Sequence, residues 1–163
     1  MNKFIKYIMV LAVIVGFAAC QEDYEPGGTA VQDMAGTWWV NMSVMDADGN
    51  LLGSYGYYQL LTYNTSDNST DSMWVTDDGN FWDYKVKVGI NYSNKTFTIN
   101  EGKDLIWDDN TTIENGKIMA GAATAPSGTV TDSIYFEVQW ASDPGYTYIG
   151  SGYRYTGWPE DDH

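Results

Sequence analysis

The chain contains few side chains that could act as a nucleophile or as a base. It has a single histidine, His163, which is also its last residue, and a single cysteine, Cys20. A serine or cysteine hydrolase needs its nucleophile within hydrogen-bond reach of a base, generally histidine. A terminal histidine preceded by Glu160, Asp161 and Asp162 is expected to be frayed. We therefore assign no catalytic residue and favour a function without catalysis.

Carboxylates are the remaining candidates for chemistry, because a glycosidase works with two of them about 5 to 9.5 Å apart. Many acidic residues of this chain fall in turns, where aspartate is favoured by local hydrogen bonds to the backbone. Glu137 falls on the outward parity between Phe136 and Val138. A carboxylate-dependent hydrolase therefore stays an alternative and not the main hypothesis.

Two acidic loops invite comparison with calcium sites. The segment Asp46–Asn50 lacks the EF-hand spacing, because its glycine stands at the fourth position and a tyrosine at the twelfth, where glycine at the sixth and glutamate at the twelfth are needed. It is interpreted as a hairpin turn. The loop with Asp104, Asp108 and Asp109 leaves a weak calcium site open as an alternative to a plain acidic loop. We predict neither a metal nor a cofactor.

Composition and charge limit the class of protein. The chain has 163 residues, of which 22 are acidic and 8 basic, and a formal net charge of −14 at pH 7. Nucleic-acid binding needs clustered Lys and Arg, so the charge argues against it. With 7 Trp and 13 Tyr the chain can bury a core, unlike a disordered acidic tail. The length fits one domain, and a lone cysteine allows neither a disulfide framework nor a thiolate zinc site.

Residues 1–19 have the layout of a secretory signal peptide. Lys3 and Lys6 precede an apolar run from Tyr7 to Phe17. As a helix this run rises about 16 Å, against a hydrocarbon core of about 30 Å. A permanent membrane-spanning helix is therefore the weaker interpretation.

The residues around Cys20 indicate how the mature protein is attached. Phe17-Ala18-Ala19-Cys20 resembles a bacterial lipobox, although Phe17 departs from the usual leucine. The resemblance implies that Cys20 is acylated and anchors a lipoprotein to a membrane, with residues 20–33 as an acidic tether. An ordinary signal peptide cut near Ala19 is the alternative.

The acidic residues directly after Cys20 bear on the location of the protein. The segment 21–25, Gln-Glu-Asp-Tyr-Glu, resembles the export signal of Bacteroidota lipoproteins. The resemblance implies an outer membrane lipoprotein exposed at the cell surface, and the alternative is a periplasm-facing one with a merely soluble spacer. The acidic surface repels anionic headgroups, so membrane attachment is expected to rely on acyl chains.

The mature chain has the pattern of an all-β domain. From Met34 onward apolar and polar residues alternate, with turn residues every eight to twelve positions. The pattern predicts about eight strands in residues 34–158 and an acidic tail at 159–163. The clearest strand runs over 81–92, and the strand 112–122 carries a hairpin signal at Asn115-Gly116. Sequential strands with short turns fit an antiparallel up-and-down barrel, which leaves no sheet edge, and a β-sandwich is the alternative.

Aromatic residues are the most informative side chains for function. An eight-stranded barrel has room either for packed side chains or for one small ligand. Core filling is one interpretation of the inward aromatics, and a pocket for a small apolar or lipid-like ligand is the other. The residues assigned to such a pocket, on predicted inward faces of three strands, are Tyr55, Tyr57, Trp82, Tyr84, Phe136 and Trp140.

Two further classes of partner stay open. Outward aromatics such as Trp39 would suit a surface glycan-binding module. A neighbouring envelope protein is the other alternative, and the oligomeric state is not predicted.

Motifs near the two ends of the mature chain resemble those of known barrels. Gly36-Thr37-Trp38 matches the G-x-W motif that lipocalins carry at the start of the first strand, and the only arginine, Arg154, falls in the last predicted strand. The resemblance implies that the Arg154 guanidinium packs over the Trp38 indole and closes one end of the barrel. Such a contact contributes about 0.5 to 2 kcal/mol.

The lipobox, the segment 35–40, the Asp-x-Asp-Gly-Asn turn and the terminal segment Gly152–Trp158 together resemble a Bacteroidota lipoprotein family named as lipid-binding putative hydrolases. The family name implies a lipid-type ligand and hydrolysis, of which the residues support only the first. We therefore predict a cell-envelope lipoprotein whose lipocalin-like barrel binds a small apolar ligand without catalysis.

Two Asp-Ser-apolar triplets, centred on Ser72 and Ser133, resemble the O-glycosylation pattern of Bacteroidota. Ser72 borders a polar loop and is the better candidate, whereas Ser133 opens a strand predicted to be buried.

Overall fold

The computed structural model describes residues 27–163, which contain eight β-strands and a short 3₁₀-helix. Each strand pairs with the next in antiparallel order and β8 returns to β1, so the sheet closes into a barrel. The elements are β1 (Gly36–Asp46), β2 (Leu51–Asn64), β3 (Ser72–Thr76), β4 (Lys85–Asn91), β5 (Thr96–Lys103), β6 (Asn110–Thr124), β7 (Val130–Trp140), β8 (Tyr146–Arg154) and the 3₁₀-helix Pro159–Asp161. The predicted all-β up-and-down barrel is confirmed.

The barrel has two different ends. The pairing of β1 with β8 extends from Trp38 opposite Arg154 to Asp46 opposite Tyr146. We call the end where β1 begins and β8 finishes the Arg154 end. The opposite end, here called the aromatic end, carries the loops 47–50, 77–84, 104–109 and 141–145.

Side chains fill the interior of the barrel. Trp38, Val40 and Met42 of β1 are completely buried, as are Phe136 and Val138 of β7. Burial along these strands therefore alternates with the same period of two as the apolar residues in the sequence. Other completely buried core residues are Leu60, Met73, Val75, Val86, Val88 and Ile113.

The segment ahead of β1 covers the Arg154 end. Val31 and Met34 are completely buried and join the barrel core. A turn forms between them, with the Met34 amide donating to the Val31 carbonyl at 2.8 Å. The Ala30 amide donates to the Asn68 side chain at 2.8 Å, which attaches the segment to the loop between β2 and β3.

Strand β6 is longer than predicted and runs through the expected hairpin. Asn115 and Gly116 lie inside it, where the pairing with β7 shifts between Glu114 and Lys117. Asn115 has a φ of 53°, and a Cβ on Gly116 would collide with the Phe97 carbonyl. The predicted turn is wrong because β-bulges and tight hairpin turns use the same residue types, and here the pair forms a bulge.

The predicted strand 81–92 is wrong in its first part, since β4 begins only at Lys85. Residues 77–84 form a loop that folds around the side chain of Asp77. Asp83 has a φ of 63°, outside the strand conformation. Alternation of polar and aromatic residues did not distinguish this loop from a strand.

The C-terminal tail packs on the outside of the barrel. His163 stacks on Tyr57 with ring centroids 4.1 Å apart, and its Nε2 lies 2.6 Å from the Tyr153 hydroxyl. Asp161 is completely buried and accepts a hydrogen bond from the Ser127 amide at 2.6 Å. The expectation of a frayed His163 is wrong, because aromatic side chains that point outward from the sheet give the tail a surface to pack on.

Candidate functional site

At the Arg154 end of the barrel, the Arg154 side chain lies over the Trp38 ring. The guanidinium carbon is 4.5 Å from the centroid of the Trp38 ring. The guanidinium nitrogens donate to the carbonyl oxygens of Ala35 and Asp33 and to the Asp132 carboxylate. Arg154 therefore joins the last strand to the segment ahead of the first.

The Gly-x-Trp motif takes part in the same closure. Trp38 Nε1 donates to the Thr62 hydroxyl at 2.9 Å, and that hydroxyl donates to the Met34 carbonyl at 2.6 Å. A Cβ on Gly36 would collide with Nη1 of Arg154, so the position needs glycine. These contacts assign the motif a structural role.

A cluster of stacked rings occupies the aromatic end. Trp82 stacks on Trp140 with centroids 4.6 Å apart and planes at 14°. Phe81 stacks on Tyr58 at 5.1 Å and meets Tyr148 edge-on at 5.9 Å. We call this group the mouth cluster, and its members are Tyr55, Tyr58, Phe81, Trp82, Tyr84, Trp140 and Tyr148.

One carboxylate organises the loop that carries two members of the mouth cluster. Asp77 is completely buried, and its oxygens accept hydrogen bonds of 2.5 to 3.4 Å from the amides of residues 79 and 81–84. Phe81 and Trp82 therefore enter the mouth from a loop. Such a loop can move outward without breaking the ladder of paired strands.

An open groove of about 530 Å³ lies beside the mouth cluster, between the β1–β2 hairpin and the β7–β8 loop. This volume falls in the range of about 300 to 1,000 Å³ that is typical of small-molecule sites. Burial and a 2.6 Å hydrogen bond to the Asp143 carboxylate raise the pKa of Tyr148 on its wall. Its walls include Val44, Leu52, Tyr55, Tyr146 and Tyr148.

Larger depressions of about 710 and 830 Å³ also open to solvent. Polar residues such as Glu101 and Gln139 line the first, and Asn91 and Lys117 line part of the second. The smaller groove is the one connected to the mouth cluster, because Tyr55 and Tyr148 on its walls contact the Phe81 ring.

Exposed apolar side chains surround the same end. In the loop between β5 and β6, Leu105, Ile106 and Trp107 are 56%, 47% and 57% exposed. Leu51 and Leu52 at the start of β2 are 66% and 55% exposed. We call these five residues the apolar rim. Contiguous exposed apolar residues mark sites that contact apolar ligands, membranes or other proteins.

Four of the six residues assigned to a pocket from the sequence have the expected inward position, inside the barrel or over its mouth. Tyr84, Phe136 and Trp140 point inward and are buried, and Trp82 is half-buried over Trp140. Phe136 lies deeper, with its ring 6.3 Å from that of Phe97. It is therefore part of the core below the mouth cluster.

The inward orientation expected of Tyr55 and Tyr57 is wrong, since they are 61% and 44% exposed. Between them Gly56 has a φ of 81°, and the pairing of β2 with β1 slips at this point. The bulge reverses the alternation, so Tyr58 takes the inward position. Tyr55 remains at the edge of the mouth, while Tyr57 lies on the outer face under His163.

Trp39 points outward from β1 but is only 7% exposed. The His163 ring meets it edge-on at 5.3 Å, and Tyr155 does so at 6.3 Å. The expectation of an outward Trp39 free to stack on sugar rings is therefore wrong, because the C-terminal tail covers it.

The surroundings of His163 oppose nucleophilic chemistry. The Tyr153 hydroxyl lies next to its ring nitrogen. Burial and the nearby Tyr57, Asp161 and Asp162 raise the pKa of Tyr153. A raised pKa disfavours the tyrosinate that a nucleophile would need. The contact between the two rings holds the tail in place.

The structure separates the three acids of the 104–109 loop. Asp104 is 1% exposed, the Asp108 side chain is fully exposed, and Asp109 accepts a hydrogen bond from Ser142. Over residues 27–163 no group of three or more His, Cys, Asp or Glu side chains is placed to hold a metal ion.

The candidate modification sites differ in accessibility. Ser72 is half-buried at the start of β3, and the Ser133 hydroxyl oxygen is buried. Cys20 and the signal peptide lie outside the described residues.

Sequence reasoning missed Tyr58, Phe81 and Tyr148 as members of the mouth. The glycine at position 56 was a signal that the parity of β2 changes before Tyr58. The turn residues 77–80, Asp-Asp-Gly-Asn, were a signal that Phe81 belongs to a loop.

Comparison with known proteins gives a family match. Within the described part of the chain, no helix has both the length and the apolar character that crossing a membrane requires. No curated protein matches the chain in sequence. Residues 23–159 match the sequence model of a family described as lipid-binding putative hydrolase. Because this match extends from before β1 to beyond β8, the chain belongs to the lipid-binding putative hydrolase family.

Proposed function

We propose that the protein is a cell-envelope lipoprotein whose barrel binds a small apolar or lipid-like ligand at its aromatic end and does not transform it. The family description supports a ligand of this class. The observation that carries the proposal is that Phe81 and Trp82 enter the mouth from a loop, next to a groove with three tyrosines on its walls.

The ligand displaces side chains of the protein, because the core is already packed. Phe81 and Trp82 are half-buried, and the hydrogen bonds of Asp77 hold their backbone. Outward movement of the loop 77–84 would join the groove to the space above Trp140. An apolar chain or ring system would then stack where Trp82 stacks now.

The apolar rim supports access of such a ligand. Its two segments, Leu51-Leu52 at the start of β2 and Leu105-Ile106-Trp107 in the loop between β5 and β6, flank the mouth from different parts of the barrel. An apolar molecule, or a surface that carries one, meets these side chains before it reaches the groove.

A binding role without catalysis fits the groups at the groove. The Tyr148 hydroxyl donates to Asp143, and both burial and this bond raise its pKa, which makes it a poor nucleophile. The only histidine, His163, lies on the outer face of the barrel. The site therefore binds through shape and apolar surface.

Anchoring through an acylated Cys20, at the outer membrane and exposed at the cell surface, is the second part of the proposal. Cys20 is the only thiol and stands at the end of the signal-like segment. Cys20→Ser should release the protein from the detergent phase in a phase-partition assay. A Cys20→Ser protein that stays in that phase with unchanged mass would contradict the lipoprotein assignment.

Binding can be tested with the neutral fluorophore N-phenyl-1-naphthylamine, which brightens in apolar sites, added to the purified full chain. Trp140→Ala removes the ring below Trp82 and should weaken binding about tenfold, since a lost stacking contact is worth about 1.4 kcal/mol. Trp39→Ala is the matched control, because Trp39 is also buried but lies outside the barrel. The proposal fails if the wild type gives no saturable signal or if both variants lose affinity equally.

A further inference from the structure

We infer that the mouth contains a buried polar site that binds a hydroxyl group of the ligand, so that the protein selects neutral apolar alcohols over fatty-acid carboxylates. Tyr84, Asp104, Thr111 and Trp140 form this site. The inference rests on the proposed binding function and specifies its ligand class.

The site is recognised by buried polar atoms that lack a hydrogen bond. Within residues 27–163 these include Tyr84 Oη, Asp104 Oδ2, Thr111 Oγ1 and Trp140 Nε1. None of the four residues is more than 2% exposed. Leaving such groups unpaired costs stability, and buried polar groups in proteins are nearly always paired. Two others, Trp39 Nε1 and Ser133 Oγ, lie on the outer face, and the four inside one end of the barrel are the ones that a single molecule from outside the chain could complete.

The four residues are connected through contacts of Trp140 and through the Lys85 amide, which follows Tyr84 in the chain. The Tyr84 ring lies 5.5 Å from the Trp140 ring, and Thr111 stands opposite Trp140 in the β6–β7 ladder, so both side chains share the inward face. Asp104 Oδ1 accepts hydrogen bonds from the amides of Lys85 and Ile106, which leaves Oδ2 free. Burial raises the pKa of Tyr84, and the charge of Asp104 adds to this effect.

The hydrogen-bonding capacity of the site selects the headgroup. The Trp140 N–H can only donate, the Asp104 carboxylate can only accept, and the hydroxyls of Tyr84 and Thr111 can do either. A ligand hydroxyl can accept from Trp140 and donate to Asp104. A carboxylate would face the like charge of Asp104, and an ammonium group would leave Trp140 without an acceptor. Water offers the hydroxyl pattern and can occupy the site between ligands.

Access to the site follows from two local features. Trp82 covers Trp140, and it belongs to the loop 77–84 that can move outward. The barrel wall is also weak here, because β4 and β5 pair only over Gly89–Asn91 and Thr96–Thr98. Between that pairing and the aromatic end, the Asp104 carboxylate accepts a hydrogen bond from the Lys85 amide.

The test compares three twelve-carbon probes, 1-dodecanol, dodecanoate and dodecylammonium, as competitors of N-phenyl-1-naphthylamine on the full chain at neutral pH. Because a hydrogen bond to a charged group contributes about 1.5 to 3 kcal/mol, we expect dodecanol to bind at least about tenfold more tightly than dodecanoate. Dodecylammonium should fall between them.

Asp104→Asn replaces the unpaired acceptor Oδ2 with an NH₂ group, which donates. It keeps Oδ1 as the acceptor for the amides of Lys85 and Ile106. It should reduce the preference for dodecanol over dodecanoate to about unity or reverse it. Asp108→Asn is the matched control, since it removes the same charge from the same loop at a fully exposed position, and it should leave the preference unchanged.

The outcomes separate the inference from the proposed function. Equal binding of all three probes by the wild type would overturn the polar site and leave apolar binding intact. An Asp104→Asn protein that keeps the wild-type preference would do the same. If no probe displaces the fluorophore and the fluorophore itself does not bind, the proposed function fails and the inference fails with it. The wild-type comparison needs no variant, so it stands even if Asp104→Asn does not fold.

Discussion

In the barrel interior, the two ends treat their buried polar groups in opposite ways, whereas the unpaired Trp39 Nε1 and Ser133 Oγ lie on the outer face. At the Arg154 end, the Trp38 N–H, the Thr62 hydroxyl and the Met34 carbonyl form a closed chain of hydrogen bonds. At the aromatic end, Trp140 has the same indole N–H at the same depth of burial, yet it lacks a partner in the chain. Residue types are therefore a poor guide to role, and the completeness of their hydrogen bonding separates the structural end from the end proposed to bind a ligand.

The way each end is covered differs as well. Arg154 is held by hydrogen bonds to backbone and side-chain acceptors from several segments. Phe81 and Trp82 are held by stacking and by the amide hydrogen bonds of a single side chain, Asp77. The first cover is held from several segments, and the proposed function requires an apolar ligand to displace only the second.

The largest effect is expected for Asp77→Ala, which should lower the free energy of unfolding by about 2 to 4 kcal/mol because several loop amides lose their acceptor together. Urea denaturation followed by tryptophan fluorescence measures the change. Asp78→Asn, an exposed position in the same turn, serves as the control. A loss no greater than that of the control would mean that stacking alone holds the loop.

Arg154→Ala should lower the free energy of unfolding by about 1 to 3 kcal/mol through lost stacking on Trp38 and lost hydrogen bonds. Affinity for N-phenyl-1-naphthylamine should stay within about twofold of the wild type, because Arg154 lies at the opposite end from the groove. If Arg154→Ala weakens the fluorophore as much as Trp140→Ala does, the assignment of separate roles to the two ends is wrong.

Removing one hydroxyl at each end tests the comparison directly. Thr62→Val should cost about 1 to 3 kcal/mol, because it leaves the Trp38 N–H and the Met34 carbonyl unpaired. Tyr84→Phe should change stability by less than about 0.5 kcal/mol, because its hydroxyl has no partner in the chain to lose. Thermal and urea unfolding of both variants supply the measurement, and equal losses would show that the two ends do not differ.

The smallest effect on stability is expected for Trp107→Ser, which should change it by less than about 0.5 kcal/mol because the residue is 57% exposed. Its effect should instead appear as weaker association with vesicles of neutral phosphatidylcholine. Trp158→Ser is the control, being 56% exposed and located after β8 near the other end. Similar losses for both variants would remove the special role of the apolar rim.

The sequence was sufficient to predict the barrel, because burial follows the period of two along most strands. Glycine and asparagine limited the prediction. Gly56 reverses the parity of β2, and Asn115-Gly116 makes a bulge where a turn was expected. Both effects depend on which strand lies alongside, and periodicity along one strand does not contain that information.

The members of the mouth were only partly predictable for a related reason. Trp140 and Tyr84 follow the alternation that indicates an inward side chain. Phe81 reaches the mouth only because the Asp77 carboxylate accepts hydrogen bonds from the backbone amides that follow it. Such a contact between a side chain and the backbone leaves no periodic pattern in the sequence. The role of Asp104 likewise depends on the separation of β4 and β5.

If Cys20 is acylated as proposed, the segment ahead of β1 that covers the Arg154 end also sets the direction in which the barrel faces. The chain enters β1 from this segment, so an acyl anchor on Cys20 would hold the Arg154 end toward its bilayer. Residues 20–27 extend at most about 25 Å. The 11-residue β1, tilted as in barrels of this size, has a height of about 28 Å along the barrel axis. An anchored protein would therefore carry its mouth on the side away from its own membrane and collect ligands from the surroundings.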